Sequence, residues 1–305
     1  MKKSLVLLMV LLASLVMMGC GEAADSEAAA FDVKAFTSEY VAGLAENGNY
    51  IVGFDPFVAD AIAGKDMYVV DIRQPKDYDA GHIKGAVNVA WNTPAMWEAL
   101  RHIPLDQTVY VHCYTGQTAG QAIVTMRMAG IQAVSVNSGW NLGISKVDGY
   151  EAVVETSANA IDTTFDNGVS DAVIAKVQAY YEEMATKAGT PFANNHVTEA
   201  DAKAILDAAD ETVQFVSLRR PDDYAKGHIE TAVNVPFGAN MLDTVAMVPA
   251  DKKLIAYCYS GQTANQAVAL FRLLGYDAVS IKFGMGTART NPRGWGNSGF
   301  PVVAN

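Results

Sequence analysis

The 305-residue chain predicts an α/β fold built twice, each copy a parallel sheet flanked by helices. Three observations predict it. Short apolar runs alternate with helical patterns, the sequence repeats itself at a fixed offset, and the length suits two domains of roughly 150 residues each. Residues 71–90 match 217–236 at 11 of 20 positions with an offset of 146. Residues 113–136 match 258–281 at 13 of 24 with an offset of 145. Two ungapped blocks in the same order mark a tandem duplication. A hydrophobic fraction of 50% against 18% charged residues argues for buried cores and against disorder.

Taken in chain order, Lys2 and Lys3 precede the apolar run from Leu5 to Met18, which falls short of the roughly 20 residues of a membrane span. Gly19 before Cys20 resembles a bacterial lipobox, so residues 1–20 read as a lipoprotein signal and Cys20 as the lipidated residue. An uncleaved anchor and a plain secretory signal are the alternatives. All three place the remainder outside the cytoplasm, on the periplasmic side of a bacterial membrane. Removal of residues 1–19 leaves 20 basic side chains against 33 acidic, a balance of −13. Such a surface excludes a general nucleic-acid binder, which needs lysine and arginine against phosphate.

Residues 21–54 read as a tether with an N-terminal helix over Val33–Glu46, followed by a second helical pattern over Asp55–Ala63. The first module spans 55–154, with strands at Met67–Ile72, Val109–Cys113 and Ala133–Val136. Ala119, Ala122, Ile123 and Met126 follow helical spacing between the last two strands, and Gly130 ends that helix. Residues 155–196 form a linker and a helix at Asp171–Lys187, polar over 155–169. The second module spans 197–305. Thr198 caps a helix to Ala209, with Asp201 at its third position. Strands follow at Val213–Leu218, Leu254–Cys258 and Ala278–Ile281, and Ala264, Ala267, Val268 and Phe271 repeat the helical stripe before Gly275. Near-continuous apolar strands joined by helices imply right-handed parallel units.

The chemistry concentrates where each module repeats Cys-Tyr-x-Gly-Gln-Thr. Cys113 ends a strand and is followed by Tyr114, Thr115, Gly116, Gln117 and Thr118; Cys258 is followed by Tyr259, Ser260, Gly261, Gln262 and Thr263. A loop of this kind curls backbone N–H groups around the sulfur, and the helix N-terminus behind it favours a thiolate, the nucleophilic form. A buried structural cysteine or a Cys113–Cys258 disulfide are the competing readings.

These residues resemble the rhodanese family, and each copy resembles a complete module. The signature is carried by Asp71, Arg73, Tyr78, Gly81, His82, Ile83, Gly85, Ala86 and Asn88. In copy two it is carried by Arg219, Tyr224, Gly227, His228, Ile229, Ala232 and Asn234. The family's six-residue Cys-x-x-Gly-x-x loop matches residues 113–118 and 258–263. Closing features match at Gly139-Trp140, Gly149-Tyr150 and Gly299-Phe300-Pro301-Val302.

The resemblance implies a five-stranded parallel sheet in each module and sulfurtransferase activity through a cysteine persulfide. It implies catalytic Cys113 and Cys258, and loop N–H groups that stabilise the persulfide. No metal or organic cofactor is implied. The partners implied are a small sulfur donor, thiosulfate or polysulfide, and a thiol, protein or cyanide-type acceptor. Contact with the membrane is expected only through the lipid anchor. A non-turnover persulfide carrier for a respiratory partner is the alternative, and a thiol-disulfide sensor is a third. Phosphoryl transfer is disfavoured because neither loop contains the arginine that grips a tetrahedral oxyanion.

The copies depart from each other. Ser217 replaces Asp71, Thr231 replaces Gly85, and copy two adds Arg289 and Arg293, read either as a solvated basic loop or as candidate anion contacts at Cys258. His82 and His228 are expected to hold their Gly-His-Ile turns rather than act as bases. His112 and Tyr257 point away from the cysteine face and read as core. Trp91, Trp97 and Phe237 read either as walls of the pocket mouth or as packing.

Overall fold

The structure, a computed structural model, describes residues 31–304, so the predicted signal and Cys20 lie outside the described residues. Helix α1 (Val33–Ala42) is capped by Asp32, whose carboxylate accepts from the Ala35 N–H at 3.0 Å. It is shorter than predicted, because the chain turns through left-handed Asn49 and Tyr50 into β1 (Ile51–Val52). The first module continues with α2 (Phe54–Ile62), β2 (Tyr68–Asp71), α3 (Pro75–Asp79), β3 (His82–Ile83) and β4 (Val87–Asn88). It closes with α4 (Ala95–Glu98), β5 (Thr108–His112), α5 (Gln117–Met128), β6 (Gln132–Val136), α6 (Gly139–Leu142) and β7 (Val154–Glu155).

Helix α7 (Asp171–Ala185) leads into the second module. Its elements are β8 (His196–Val197), α8 (Glu199–Asp207), β9 (Val213–Ser217), α9 (Pro221–Lys226), β10 (Val233–Asn234) and α10 (Met241–Val245). Then come β11 (Lys253–Tyr257), α11 (Gln262–Leu273) and β12 (Ala278–Ile281). Thr198 caps α8 as predicted, its Oγ1 accepting from the Asp201 N–H at 3.0 Å.

The strand orders are β1-β6-β5-β2-β4 and β8-β12-β11-β9-β10, every neighbour parallel. Two five-stranded parallel sheets flanked by helices are therefore present. The two-residue strands β1 and β8 were not anticipated, since they are too short to show a period. A small antiparallel ribbon pairs β3 with β7, and a His228–Val303 bridge stands in its place in the second module.

Alternation along the strands decides which core each residue joins. Val109, Val111 and Cys113 face one way, and Leu254, Ala256 and Cys258 are their counterparts in the second module. The cysteine faces of both sheets share one continuous apolar core, in which α5 packs against α11. The opposite faces carry separate cores, one around Phe57, Val69 and Ile144, the other around Phe215, Ile255 and Trp295.

A reciprocal polar seam crosses the shared core. Gln121, Asn265 and Gln266 are fully buried there. Gln121 Nε2 donates to the Asn194 carbonyl at 3.0 Å, and Gln266 Nε2 donates to the Asn49 carbonyl at 3.0 Å. The Tyr180 hydroxyl of α7 donates to Gln121 Oε1 at 2.6 Å, and the Tyr40 hydroxyl of α1 to Gln266 Oε1 at 2.8 Å. Each leading helix thus clasps the other module: α1 reaches the second and α7 the first. Because the seam's polar groups are buried, loss of one partner leaves the other unpaired.

Gly120 sets how closely the two helices approach. A methyl group there would lie 2.6 Å from the Gln262 carbonyl and 3.2 Å from Asn265 Cβ. The first obstruction is backbone and cannot rotate away. Gly120→Ala is therefore expected to lower unfolding stability by about 1–3 kcal/mol in denaturant titration, despite alanine's better helix propensity. A stabilised variant would show that the helices do not meet there.

Candidate active site

Both cysteines stand at the C-terminal ends of central strands, where β5 and β11 pass into α5 and α11. Each is a free thiol exposed by only 2%. Cys113 Sγ accepts from the Gly116 N–H at 3.1 Å, and Cys258 Sγ accepts from the Gly261 N–H at 3.2 Å. The curl requires left-handed backbone, supplied by φ of 82° at Gly116 and 92° at Gly261. The helices begin one residue later, so Gln117–Thr118 and Gln262–Thr263 belong to their first turns rather than to the loops. The helix dipole and the glycine N–H favour negative charge on sulfur.

A second turn holds each loop from behind. The Trp140 N–H donates to the Cys113 carbonyl and the Asn141 N–H to the Tyr114 carbonyl, both at 2.8 Å. Met285 and Gly286 do the same for Cys258 and Tyr259, both at 2.9 Å. Only glycine fits at the start of this turn: a methyl on Gly139 would lie 2.5 Å from the Cys113 carbonyl, and one on Gly284 2.4 Å from that of Cys258.

The loop tyrosines are held by their hydroxyls. The Tyr114 hydroxyl donates to Asp77 at 2.5 Å and accepts from the Gln74 N–H at 3.0 Å. The Tyr259 hydroxyl donates to Asp223 at 2.6 Å and accepts from the Arg220 N–H at 3.2 Å. They tie the loops to α3 and α9. Burial, and then Asp77, push the Tyr114 phenol upward, while Tyr259, Arg220 and Lys226 hold the Asp223 carboxyl below its usual range. Thr115 and Ser260 instead line a cavity at the module boundary.

Most signature residues outside the loops brace the β2–β4 and β9–β10 connections. Arg73 pairs with Asp71 at 2.6 Å and donates to the Gly81 carbonyl at 2.7 Å, while Asn88 Nδ2 holds the Asp71 and Arg73 carbonyls. His82 and His228 stack on Tyr78 and Tyr224, and their Nδ1 atoms bond the carbonyls of those tyrosines at 2.8 and 3.0 Å, which anchors the turns. His112 lies in the core on the opposite face, beside Asp71 and Trp140, and burial lowers its pKa. In the second module Ser217 offers no carboxylate. Arg219 keeps the carbonyl bond, to Gly227 at 2.5 Å, and faces the Tyr257 ring. Trp91 and Trp97 pack on Tyr181, and Phe237 packs against the shared core, so all three are packing residues.

The two loops come together at this boundary. The cavity there, about 160 Å³, is lined by Thr115 and Ser138 of the first module and by Ser260, Gln262, Arg289 and Thr290 of the second. Arg289 Nη1 donates to the Leu142 carbonyl at 3.1 Å, and its guanidinium lies 4.4 Å from the Phe54 ring centroid. It therefore reaches across to the first module while remaining an exposed side chain. Arg293 lies over Phe283 and does not line this cavity. Sequence reasoning missed the boundary role of Gln117, Gln262 and Asn265. Its available signal was the recurrence of the same glutamine after both loop glycines.

The family described as "Rhodanese-like domain" matches residues 57–144 and 198–285. A sulfurtransferase of Allochromatium vinosum is 30% identical over 114 residues, covering 35% of this chain and 96% of that protein. The thiosulfate sulfurtransferase GlpE of Pseudomonas entomophila is 34% identical over 98 residues, covering 32% of this chain and 88% of that protein. The match to the probable adenylyltransferase/sulfurtransferase MoeZ of Mycobacterium tuberculosis is 30% identical over 78 residues, 25% of this chain, and spans only 20% of that protein. Among solved structures, a thiosulfate sulfurtransferase from Pseudomonas aeruginosa aligns at 18% identity and a TM-score of 0.31, covering 85% of this chain and 47% of that one.

One buried histidine links the seam to a loop. Asn265 Oδ1 accepts from Gln121 Nε2 at 2.6 Å and from His196 Nε2 at 2.7 Å, while Asn265 Nδ2 donates to the Gly261 carbonyl at 2.8 Å. An amide oxygen only accepts, so His196 carries its proton on Nε2. Burial lowers its pKa from 6.5 to about 4, against the raising effect of Asn265. A histidine held neutral in the fold stabilises it above pH 6.5, and that contribution disappears as pH falls towards 4. His196→Gln is expected to remove about 3 kcal/mol of the stability change across that interval, read by denaturant titration at several pH values. An identical pH dependence in the variant would contradict the assignment.

Proposed function

The chain belongs to the rhodanese-like family, and we propose on that premise that Cys113 and Cys258 carry sulfane sulfur as persulfides. The carrying observation is the pair of free thiols, each facing a glycine N–H at the head of a 12-residue helix. In the proposed cycle the thiolate attacks the outer sulfur of thiosulfate. The donor S–S bond breaks, sulfite leaves with its electron pair, and a cysteine persulfide remains. A thiolate or cyanide acceptor then takes the outer sulfur and the cysteine thiolate is restored, with no external oxidant. A polysulfide donor follows the same steps with a shorter polysulfide leaving. Backbone N–H groups and the helix dipole stabilise the terminal persulfide anion.

The cavity between the loops supports an anionic donor. Arg289 is the cation there, and it serves a space walled by both Thr115 and Ser260. The 2% exposure of each cysteine favours, as a second reading, a carrier that holds sulfur without efficient turnover. For the N-terminus we propose a lipid anchor at Cys20 and an extracytoplasmic, periplasm-facing location.

Thiosulfate:cyanide and polysulfide:cyanide assays on wild type, Cys113→Ala, Cys258→Ala and the double variant test the cycle. Turnover that falls in each variant and vanishes in the double variant is expected; stoichiometric loading without turnover indicates the carrier, and no loading overturns both. In the Cys113→Ala background, Arg289→Ala is expected to raise the thiosulfate KM about tenfold, as for loss of a charge-assisted contact, with Arg293→Ala unchanged. An unchanged KM in Arg289→Ala removes the arginine from the donor site. Cys20→Ala is expected to move the protein from the membrane fraction to the soluble one; continued membrane association in the variant would contradict the lipid anchor.

A further inference from the structure

Gln117 and Gln262 occupy the same place in the two repeats, directly after the glycine that donates to the cysteine sulfur, and are exposed by only 4% and 3%. Neither side chain serves only its own module. Gln117 Oε1 accepts from the Phe283 N–H of the second module at 2.9 Å, while its Nε2 donates to Thr115 Oγ1 of its own loop at 3.0 Å. Gln262 Nε2 donates to Ser135 Oγ of the first module at 2.7 Å, and its Oε1 faces the Ser138 N–H at 3.4 Å.

Two of the residues they reach, Phe283 and Ser138, begin the turns that hold the cysteine loops, while Ser135 lies in β6 just before the Ser138 turn. Phe283 opens the turn whose Met285 and Gly286 N–H groups hold the carbonyls of Cys258 and Tyr259. Ser138 opens the turn whose Trp140 and Asn141 N–H groups hold those of Cys113 and Tyr114. The packing is close in both directions. A methyl on Gly261 would lie 2.5 Å from Gln117 Oε1, and one on Gly116 would lie 3.0 Å from Gln262 Oε1.

We propose that Gln117 and Gln262 are positioning residues that act across the module boundary. Each holds the cradle of the other module's cysteine loop, so that Cys113 and Cys258 form a coupled pair. Gln117 fixes the Cys258 loop through Phe283, and Gln262 fixes the Cys113 loop through Ser138. Displacement of Gly116 by a group on Cys113 is passed through the adjoining Gln117 to the Cys258 cradle. The two directions are unequal, because the Phe283 contact is shorter than the Ser138 contact. The proposal takes the two cysteines as the reacting thiols, as above. Thiol alkylation measures it whether or not either cysteine carries sulfur.

The test is iodoacetamide alkylation against pH, reading Cys258 in a Cys113→Ser protein and Cys113 in a Cys258→Ser protein. Gln117→Met keeps the side-chain bulk and removes both polar atoms. Its expected effect is to move the Cys258 profile to higher pH by about half a unit or more, the scale of one lost hydrogen bond, whereas the Cys113 profile answers only to the lost Thr115 contact. Gln262→Met is expected to move the Cys113 profile by a smaller amount. An unmoved Cys258 profile in Gln117→Met, or movement only at Cys113, overturns the proposal. A second measurement retains both glutamines: in Cys258→Ser protein, alkylation of Cys113 is expected to speed hydrogen exchange in the peptide spanning 281–286. Unchanged exchange there overturns the coupling, even if Gln117→Met fails to fold.

Discussion

The contact of α5 with α11 is the constraint on which the rest of the molecule depends. Each helix begins at its own cysteine loop, so bringing the helices together also brings the loops together. Gly120 allows the backbones to approach, and the seam of Gln121, Asn265 and Gln266 satisfies the polar groups that the approach buries. One apolar core then serves the cysteine faces of both sheets. The duplication therefore yields a single site region shared by two modules, with one wall of its cavity from each.

That arrangement bears on how charge is managed. Neither loop carries a cation, so the glycine N–H and the helix N-terminus are the nearest positive groups to each sulfur. Arg289 adds a guanidinium to the space between the loops, tethered to Leu142 and stacked on Phe54. A tethered arginine loses less side-chain freedom when it meets an anion than one on a free loop. The copies also diverge where the cysteine loops do not. Asp71 with Arg73 is a buried ion pair, whereas Arg219 relies on a carbonyl and the Tyr257 ring, so the β2–β4 connection and its β9–β10 counterpart use two electrostatic solutions.

Much of the fold was legible because it leaves a period in the sequence. The central strands β2, β5, β6, β9, β11 and β12 are apolar runs, and the Gly-His-Ile turns announce themselves twice. The edge strands β1 and β8 span two residues and leave none. The helical stripe of Ala119, Ala122, Ile123 and Met126 is buried as predicted, but α5 buries its other side as well. Gln121 and Thr125 look like a solvated face in sequence and are fully buried, because only the assembled pair of modules covers them. In the same way the cysteine loops could be read locally, whereas the partners of Gln117, Gln262 and Arg289 could not. Those partners lie more than a hundred residues away, and nothing in local pattern records them.

The central claim is that both buried cysteines accept sulfur as persulfides at the shared site. Intact-mass analysis of the mature protein after separate exposure to thiosulfate and to polysulfide tests it most directly. The account predicts a gain of one sulfur atom per cysteine, up to two in the wild type and one in each single-cysteine variant, reversed by cyanide. A protein that keeps its mass under both donors, or that gains sulfur in the variant lacking both Cys113 and Cys258, would contradict it.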